Sequence, residues 1–139
     1  MNRARAVIAE DHVLIQEMIR CEVEQDCDVV AAVEDGPAAL ASVEAYHPDL
    51  LLVDVSLPVI GGFAIAQRLR VTDPAVRILF ITAHSDPSYV DRAFELGVMA
   101  YVAKAMIRLE LRSAVRAVLA GNQFRSAILR QMHPPQRPA

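Results

Sequence analysis

The segment Asp49-Leu-Leu-Leu-Val-Asp-Val-Ser-Leu-Pro58 determines the predicted fold of this 139-residue chain. Its apolar run has no polar alternation and ends at Asp54, which is followed at once by turn-forming residues. Such a run is typical of a strand buried on both faces in the middle of a parallel sheet. In open α/β sheets, ligands and chemistry collect at the carboxyl ends of the strands. Asp54 is therefore a candidate nucleophile or metal ligand.

Four further strands are predicted around this segment, over residues 4–9, 28–33, 76–81 and 98–102. Periodic apolar residues and turn residues predict helices over residues 13–24, 63–71, 86–96 and 111–119, and one with Pro37 in its first turn that ends near His47. Five strands alternating with five helices predict a flavodoxin-like, doubly wound α/β fold with a five-stranded parallel sheet. We expect the strand order 2-1-3-4-5, with helices on both faces.

The length of the chain and its composition indicate one domain. We expect this domain over residues 1–121, followed over 122–139 by a linker or short sixth helix, at residues 125–132, and a Pro-rich tail. The net charge of -3 gives no bulk reason to bind nucleic acid, and the two cysteines cannot complete a zinc site. No signal peptide or membrane span is recognisable. We expect a cytoplasmic protein without membrane contact.

Polar side chains follow four of the predicted strands. Glu10 and Asp11 end the first strand, Asp54 the third and Thr82 the fourth, and Lys104 lies just beyond the fifth. Because the first and third strands are neighbours at the switch point, we expect the three carboxylates to meet in one crevice. An Asp at a strand end is more often a turn former, and a single Lys is usually solvated. All five residues together are expected at the same edge of the sheet, and this joint occurrence favours a functional site.

Three clustered carboxylates repel one another unless a cation neutralises them. A set of oxygen ligands with room for water suits Mg²⁺ better than zinc. Beside a hydroxyl and an ammonium group, such a site can hold a phosphoryl group, because the metal and Lys104 offset its negative charge. The carboxylate of Asp54 is then able to act as a nucleophile and form an acyl phosphate.

With these residues in place, the sequence resembles the receiver domains of bacterial two-component response regulators. The resemblance covers about the first 120 residues, and its motifs are Glu10-Asp11, Asp54-x-x-x-Pro58-x-x-x-Gly62, Thr82-Ala83 and Tyr101-x-x-Lys104. Residues 97–111 and 120–124 look most like receivers of the NarL type, which usually precede a DNA-binding helix-turn-helix.

The resemblance implies a role for each matching residue in the acidic crevice. Asp54 is expected to accept a phosphoryl group from the phosphohistidine of a sensor histidine kinase. Asp11, Asp54 and the backbone carbonyl of Ser56 are expected to bind Mg²⁺, with Glu10 helping through a water molecule. The domain would not be an enzyme in its own right, although it would assist its own phosphorylation and dephosphorylation.

The resemblance also implies a conformational switch. Lys104 and Thr82 are expected to contact the phosphoryl oxygens, and Tyr101 to change rotamer as Thr82 moves. The output surface would be the fourth helix, fifth strand and fifth helix, over residues 86–119. It would control an effector domain for transcription or a partner. The apolar residues of the last helix and of the possible sixth helix would form a dimer surface, used on phosphorylation. DNA would be contacted only through a helix-turn-helix that this chain does not contain.

Two departures from the family pattern and several alternatives stay open at this point. Glu10 replaces the commoner Asp, and Ala105 stands where many receivers have proline, so the resemblance does not imply a cis peptide there. A phosphatase of the haloacid dehalogenase type would need a second Asp where this chain has Ser56. A flavin or nucleotide module would need a phosphate-binding loop instead of Glu10-Asp11-His12. A phosphorylation-independent adaptor, and a Tyr101 that merely packs at the surface, are the remaining alternatives.

Overall fold

The computed structural model describes residues 3–83 and 87–127 of the chain. Its strands are Ala4–Ala9 (β1), Cys27–Val33 (β2), Leu50–Asp54 (β3), Arg77–Thr82 (β4), Ala100–Ala103 (β5) and Phe124–Arg125 (β6). Its helices are Val13–Val23 (α1), Gly36–Tyr46 (α2), Gly62–Thr72 (α3), Pro87–Glu95 (α4) and Ile107–Leu119 (α5), and a 3-10 turn, Lys104–Met106, precedes α5. The predicted alternation of strands and helices is confirmed.

The six strands form one parallel sheet in the order β2-β1-β3-β4-β5-β6. The order predicted for the first five strands is confirmed, and the sixth strand is a correction. With two residues, β6 is too short to produce a recognisable alternation of polar and apolar side chains. The helix predicted over residues 125–132 is wrong at Arg125, which lies in β6. Ala127 is helical, and residues 128–132 lie outside the described part of the chain.

The central strand β3 is buried on both faces, as its apolar run predicts. Leu50, Leu51, Leu52 and Val53 have no exposed surface. Leu51 and Val53 pack under α2, α3 and α4, whereas Leu50 and Leu52 pack under α1 and α5. Burial of one such side chain stabilises the fold by roughly 2 kcal/mol. The two apolar layers fix β3, and therefore Asp54 at its end, in the middle of the domain.

The last helix, α5, uses its apolar stripe inside the domain. Leu111, Ala114, Val115 and Val118 are buried in the core. The prediction that these apolar residues form a dimer surface is therefore wrong for the stripe itself, and Leu109 is the large apolar residue that α5 exposes. At 13 residues, α5 is the longest of the described helices, and none of them has the length and apolar character needed to cross a bilayer.

Arginine side chains satisfy the ends of four helices at the amino edge of the sheet. The last carbonyl groups of a helix have no partner within it, and the helix dipole favours a cation there. The arginines and their acceptors are Arg3 with the Glu24 carbonyl after α1, Arg5 with Tyr46 of α2, Arg70 with Glu95 of α4, and Arg77 with Val118 and Leu119 of α5. The contacts of Arg3, Arg5 and Arg77 tie α1, α2 and α5 to the edge opposite Asp54, whereas that of Arg70 ties α4 to α3.

Candidate functional site

The strand register brings the predicted carboxylates to one edge of the sheet. Ala9 of β1 pairs with Val53 of β3, so the next residues, Glu10 and Asp54, lie side by side. One carboxylate oxygen each of Glu10, Asp11 and Asp54 lies within 4.8 Å of the others. The expected convergence of the three carboxylates in one crevice is therefore observed.

The two carboxylates that end directly on strands are buried, and Asp11 is exposed. Glu10 has no exposed surface and Asp54 is 3% exposed. Glu10 Oε1 accepts a hydrogen bond from the backbone N–H of His12 at 3.2 Å. Its other oxygen, Oε2, is buried and has no hydrogen-bond partner among the described residues. Because an unsatisfied buried carboxylate oxygen is costly, this atom is suited to a cation or an ordered water.

Lys104 connects the two buried carboxylates. It follows the end of β5, and its Nζ lies 3.1 Å from Asp54 Oδ2 and 3.2 Å from Glu10 Oε1. The described residues contain no cis peptide bond, so Ala105 follows Lys104 in the trans form. Lys104 begins the 3-10 turn before α5. The side chain is therefore held by two charged partners at the same rim as Asp54.

The electrostatics of the crevice favour protonation of both Glu10 and Lys104. Burial, and then the negative charge of Asp54, raise the pKa of Glu10 above its ordinary value, although Lys104 acts in the opposite direction. Burial alone would lower the pKa of Lys104, but the hydrogen bond and charge of Asp54, followed by those of Glu10, raise it instead. The crevice thus holds more negative charge than its one lysine neutralises.

The donors in the crevice fit a divalent metal ion. All three carboxylates supply hard oxygen atoms, and the exposed Asp11 leaves one side of the cluster open to water. The buried Glu10 Oε2 supplies an oxygen that lacks a protein partner among the described residues. Glu10, Asp11 and Asp54 are therefore the residues that would hold such an ion.

The loop after β3 orients Asp54. The backbone N–H of Ser56 donates to Asp54 Oδ1 at 3.0 Å, which leaves the other oxygen to Lys104. The loop is fixed by a hydrogen bond from Gly62 N to Val55 O at 2.9 Å, and a Cβ atom on Gly62 would lie 3.0 Å from Val55 Cα. A side chain at position 62 would therefore displace the loop. The role of the Ser56 carbonyl as a metal ligand stays a prediction.

Thr82 and Tyr101 lie beside the crevice on β4 and β5. Thr82 is the last residue of β4, is buried, and pairs in register with Ala103, the residue before Lys104. Tyr101 has no exposed surface, and its ring centroid lies 6.0 Å from that of Phe80 in an edge-on contact. The alternative in which Tyr101 packs at the surface is therefore wrong. The switch roles of Thr82 and Tyr101 stay predictions.

One supporting residue escaped prediction from the sequence. The side-chain amide of Gln16, on α1, donates to the backbone carbonyls of Glu10 at 3.0 Å and Val33 at 3.2 Å. It thereby ties the β1–α1 loop, which carries Glu10 and Asp11, to the end of β2. A polar residue on an amphipathic helix is most often solvated, so no signal in the sequence distinguishes Gln16 from its neighbours.

Together these observations define a flavodoxin-like domain with an acidic, lysine-bridged site at the carboxyl edge of its sheet. Residues 6–116 match the response regulator receiver domain family. The chain belongs to this family. The family match gives no support to a phosphatase of the haloacid dehalogenase type or to a flavin or nucleotide module.

Relatives of known name or structure agree with this assignment. The chain is 34% identical over 125 residues to the transcriptional regulatory protein DegU of Brevibacillus brevis, covering 88% of this chain and 53% of that protein. The structure of a LuxR-family two-component response regulator from Aurantimonas sp. superposes with a TM-score of 0.87 at 32% identity, covering 94% of both chains. The signal receiver domain of the NarL response regulator of Mycobacterium tuberculosis superposes with a TM-score of 0.83 at 30% identity, covering 88% of this chain and all of that one. The chain spans about half the length of the curated relatives that it matches.

Proposed function

We propose that this domain is a phosphorylation-activated signalling switch in which Asp54 is the phosphoacceptor. The observation that carries the proposal is the shared ion pair of Lys104 with Asp54 and Glu10, at 3.1 and 3.2 Å. A structural ion pair needs one carboxylate, whereas this lysine serves two in a crevice that holds a third. Such an arrangement suits a site where further negative charge arrives during function.

In this proposal the metal ion is Mg²⁺, held by Glu10, Asp11, Asp54 and the carbonyl of Ser56. Hard oxygen donors and an open side facing water favour Mg²⁺ over softer metals. When bound, the ion offsets the negative charge of the incoming phosphoryl oxygens. The residues of the chain orient the nucleophile and neutralise the remaining charge.

The proposed step is transfer of a phosphoryl group from the phosphohistidine of a sensor kinase. A carboxylate oxygen of Asp54 attacks phosphorus, an O–P bond forms, and the P–N bond to the kinase breaks. The bonding electrons and a proton from solvent remain with the histidine ring as it leaves. Lys104 and the hydroxyl of Thr82 then contact the transferred oxygens. Thr82 ends β4, which pairs with β3, and Lys104 follows β5, which pairs with β4. Hydrolysis later returns Asp54, so the domain assists its own reactions without being an independent enzyme.

The proposed consequence is a change in the surface formed by α4, β5 and α5. A phosphoryl group adds nearly two negative charges and three acceptor oxygens at one point, which is enough to bias a loop with two conformations. Tyr101 would follow Thr82 to a new rotamer. DegU of Brevibacillus brevis is a transcriptional regulatory protein, and the match covers 53% of its length. We therefore propose that the switch controls a transcriptional effector or a partner in the cytoplasm. DNA would be contacted only through a helix-turn-helix domain, and phosphorylation would promote a homodimer.

Acetyl phosphate with Mg²⁺ tests the phosphoacceptor directly. We expect an acid-labile mass increase of one phosphoryl group on the wild type and on the control Asp28→Asn, whose exposed carboxylate lies on β2. Asp54→Asn should show none. Mass spectrometry of intact protein, with and without acid treatment and with and without a chelator, provides the measurement. Equal labelling of Asp54→Asn and wild type, or no labelling of either protein, would refute the proposal.

A further inference from the structure

The residues that follow α5 turn back onto the domain and extend its sheet. We call residues 124–127 the exit segment. The N–H of Phe124 donates to the carbonyl of Met99 at 3.0 Å, and the N–H of Ser126 donates to the carbonyl of Tyr101 at 3.0 Å. The backbone of the exit segment is therefore hydrogen-bonded to Tyr101 of β5, the residue that is expected to change rotamer.

A buried carboxylate on α5 holds the same segment. Glu110 is 9% exposed and Ser126 has no exposed surface. The Ser126 hydroxyl donates to Glu110 Oε1 at 3.1 Å, and the N–H of Ala127 lies 3.1 Å from both carboxylate oxygens. A buried carboxylate is costly unless it is hydrogen-bonded, so this contact is specific rather than incidental.

The exit segment also contacts α4. The guanidinium carbon of Arg125 lies 4.4 Å from the centroid of the Phe94 ring, a cation–π distance. Arg125 Nη1 is 3.8 Å from Asp91 Oδ1. The segment therefore reaches all three elements, α4, β5 and α5, that form the expected output surface.

We propose that the exit segment reads the state of the receiver and passes it to the chain beyond Ala127. The inference rests on the proposed function, since it assumes that phosphorylation of Asp54 changes the surface of α4, β5 and α5. A shift of the β5 backbone that accompanies the rotamer change of Tyr101 would act on Ser126, because the Ser126 N–H is bonded to the Tyr101 carbonyl. Glu110 and Arg125 hold the segment against α5 and α4, so motion of either helix also reaches it. A change in the output surface would then be sensed by a segment of the same chain.

Nuclear magnetic resonance on the full 139-residue chain tests this inference. Beryllofluoride with Mg²⁺ serves as the phosphoryl mimic, and the amide shifts and hydrogen exchange of Ser126 and Ala127 are measured. In wild type we expect the mimic to shift both amides. In Glu110→Ala, exchange of the Ala127 amide should be about tenfold faster, and its response to the mimic should be lost. Glu44→Gln, which changes an exposed carboxylate on α2, should behave as wild type.

A second variant guards against a folding defect in Glu110→Ala. Arg125→Gln removes the contacts with Phe94 and Asp91 from the other side, and it should reduce the response of Ser126 without changing phosphorylation of Asp54. The inference is overturned if the mimic shifts amides around Asp54 while Ser126 and Ala127 stay unchanged. It is also overturned if both variants respond as wild type does. Failure of the proposed function would look different, because no amide near Asp54 would respond.

Discussion

At the residue scale, Glu10 combines full burial, an ion pair with Lys104 and a carboxylate oxygen without a hydrogen-bond partner among the described residues. Its Oε1 accepts a hydrogen bond from Lys104 Nζ at 3.2 Å, and one of its carboxylate oxygens belongs to the cluster with Asp11 and Asp54. The side chain therefore belongs to the ion pair and to the candidate metal site at once. Its protonation state couples the stability of the domain to both pH and metal.

The raised pKa of Glu10 makes a signed prediction for the metal-free protein. The native state binds a proton at Glu10 more tightly than the unfolded chain does, so that proton stabilises the fold below the ordinary pKa of 4.5. The stabilisation is lost as the pH rises through the native pKa. Compared with Glu10→Gln, the metal-free wild type should therefore become less stable as the pH rises above 4.5.

Urea unfolding at a series of pH values with a chelator measures this difference. Adding Mg²⁺ at neutral pH should make wild type more stable than Glu10→Gln, because the ionised Glu10 then has a cation partner. Glu17→Gln, an exposed position on α1, serves as the control and should follow wild type. If the free energies of unfolding of wild type and Glu10→Gln changed with pH in the same way in the chelator, the raised pKa of Glu10 would be contradicted.

Individual site residues differ in how far the sequence predicts them. Asp54, Glu10 and Lys104 follow strand ends, and strand ends are visible as the limits of apolar runs. Gln16 and Glu110 lie on helices among other polar residues, and their acceptors or donors are 6 to 17 positions away in the chain. Hydrogen bonds between elements depend on the packed geometry, which no local pattern contains.

At the element scale, arginines at the amino edge of the sheet are a shared means of ending helices. Each guanidinium supplies N–H groups to carbonyls that the helix itself leaves without partners. The positive charge also lies at the negative end of the helix dipole. Arg3, Arg5 and Arg77 line a cavity at that edge. Because their guanidinium groups already bind helix-end carbonyls, the positive charge of the cavity is explained without a ligand.

Arg77 gives the clearest test of this arrangement. Its Nη1 donates to the carbonyls of Leu119 at 2.7 Å and Val118 at 3.1 Å, at the end of α5. Arg77→Met keeps most of the apolar stem but removes both hydrogen bonds, and it should lower the free energy of unfolding by about 1–2 kcal/mol. Arg68→Met, at an exposed position on α3, should change it by less than about 0.5 kcal/mol. Urea denaturation of both variants provides the comparison, and equal effects would contradict the interpretation.

The elements themselves are predicted from sequence to different degrees. The central strand β3 is recognised because its four apolar residues stand between Asp49 and Asp54. By contrast, β6 exists only because β5 offers it an edge, with Tyr101 opposite Arg125. Two residues carry too little pattern to predict a strand, so tertiary pairing decides their conformation.

At the scale of the whole molecule, the doubly wound sheet places its acidic site and its arginine contacts at opposite edges. That separation follows from the parallel strand order, which sends every strand's carboxyl end to the same side. The order was predictable because helices alternate with apolar strands along the whole chain. What the sequence did not predict is which faces of the finished domain stay exposed.

Self-association is the whole-molecule property that this exposure affects most directly. On the neighbouring helices α1 and α5, Leu14 and Leu109 are 75% and 78% exposed. We expect a phosphoryl mimic to increase the dimer fraction of wild type, and Leu109→Glu to weaken the dimer at least about tenfold. Val71→Glu, at an equally exposed apolar position on α3, should not. Sedimentation velocity over a range of protein concentrations measures the dimer fraction. A monomer mass at every concentration, with and without the phosphoryl mimic, would contradict the expectation.

The two-residue strand β6 has a consequence for solubility. An open edge of a sheet presents unpaired backbone groups on which another chain can add a strand, and native proteins protect such edges with short strands and charged side chains. Here β6 covers part of the edge of β5 and carries Arg125. A fragment that stopped before Phe124 would uncover apolar β5, and such a fragment would be exposed to aggregation by strand addition.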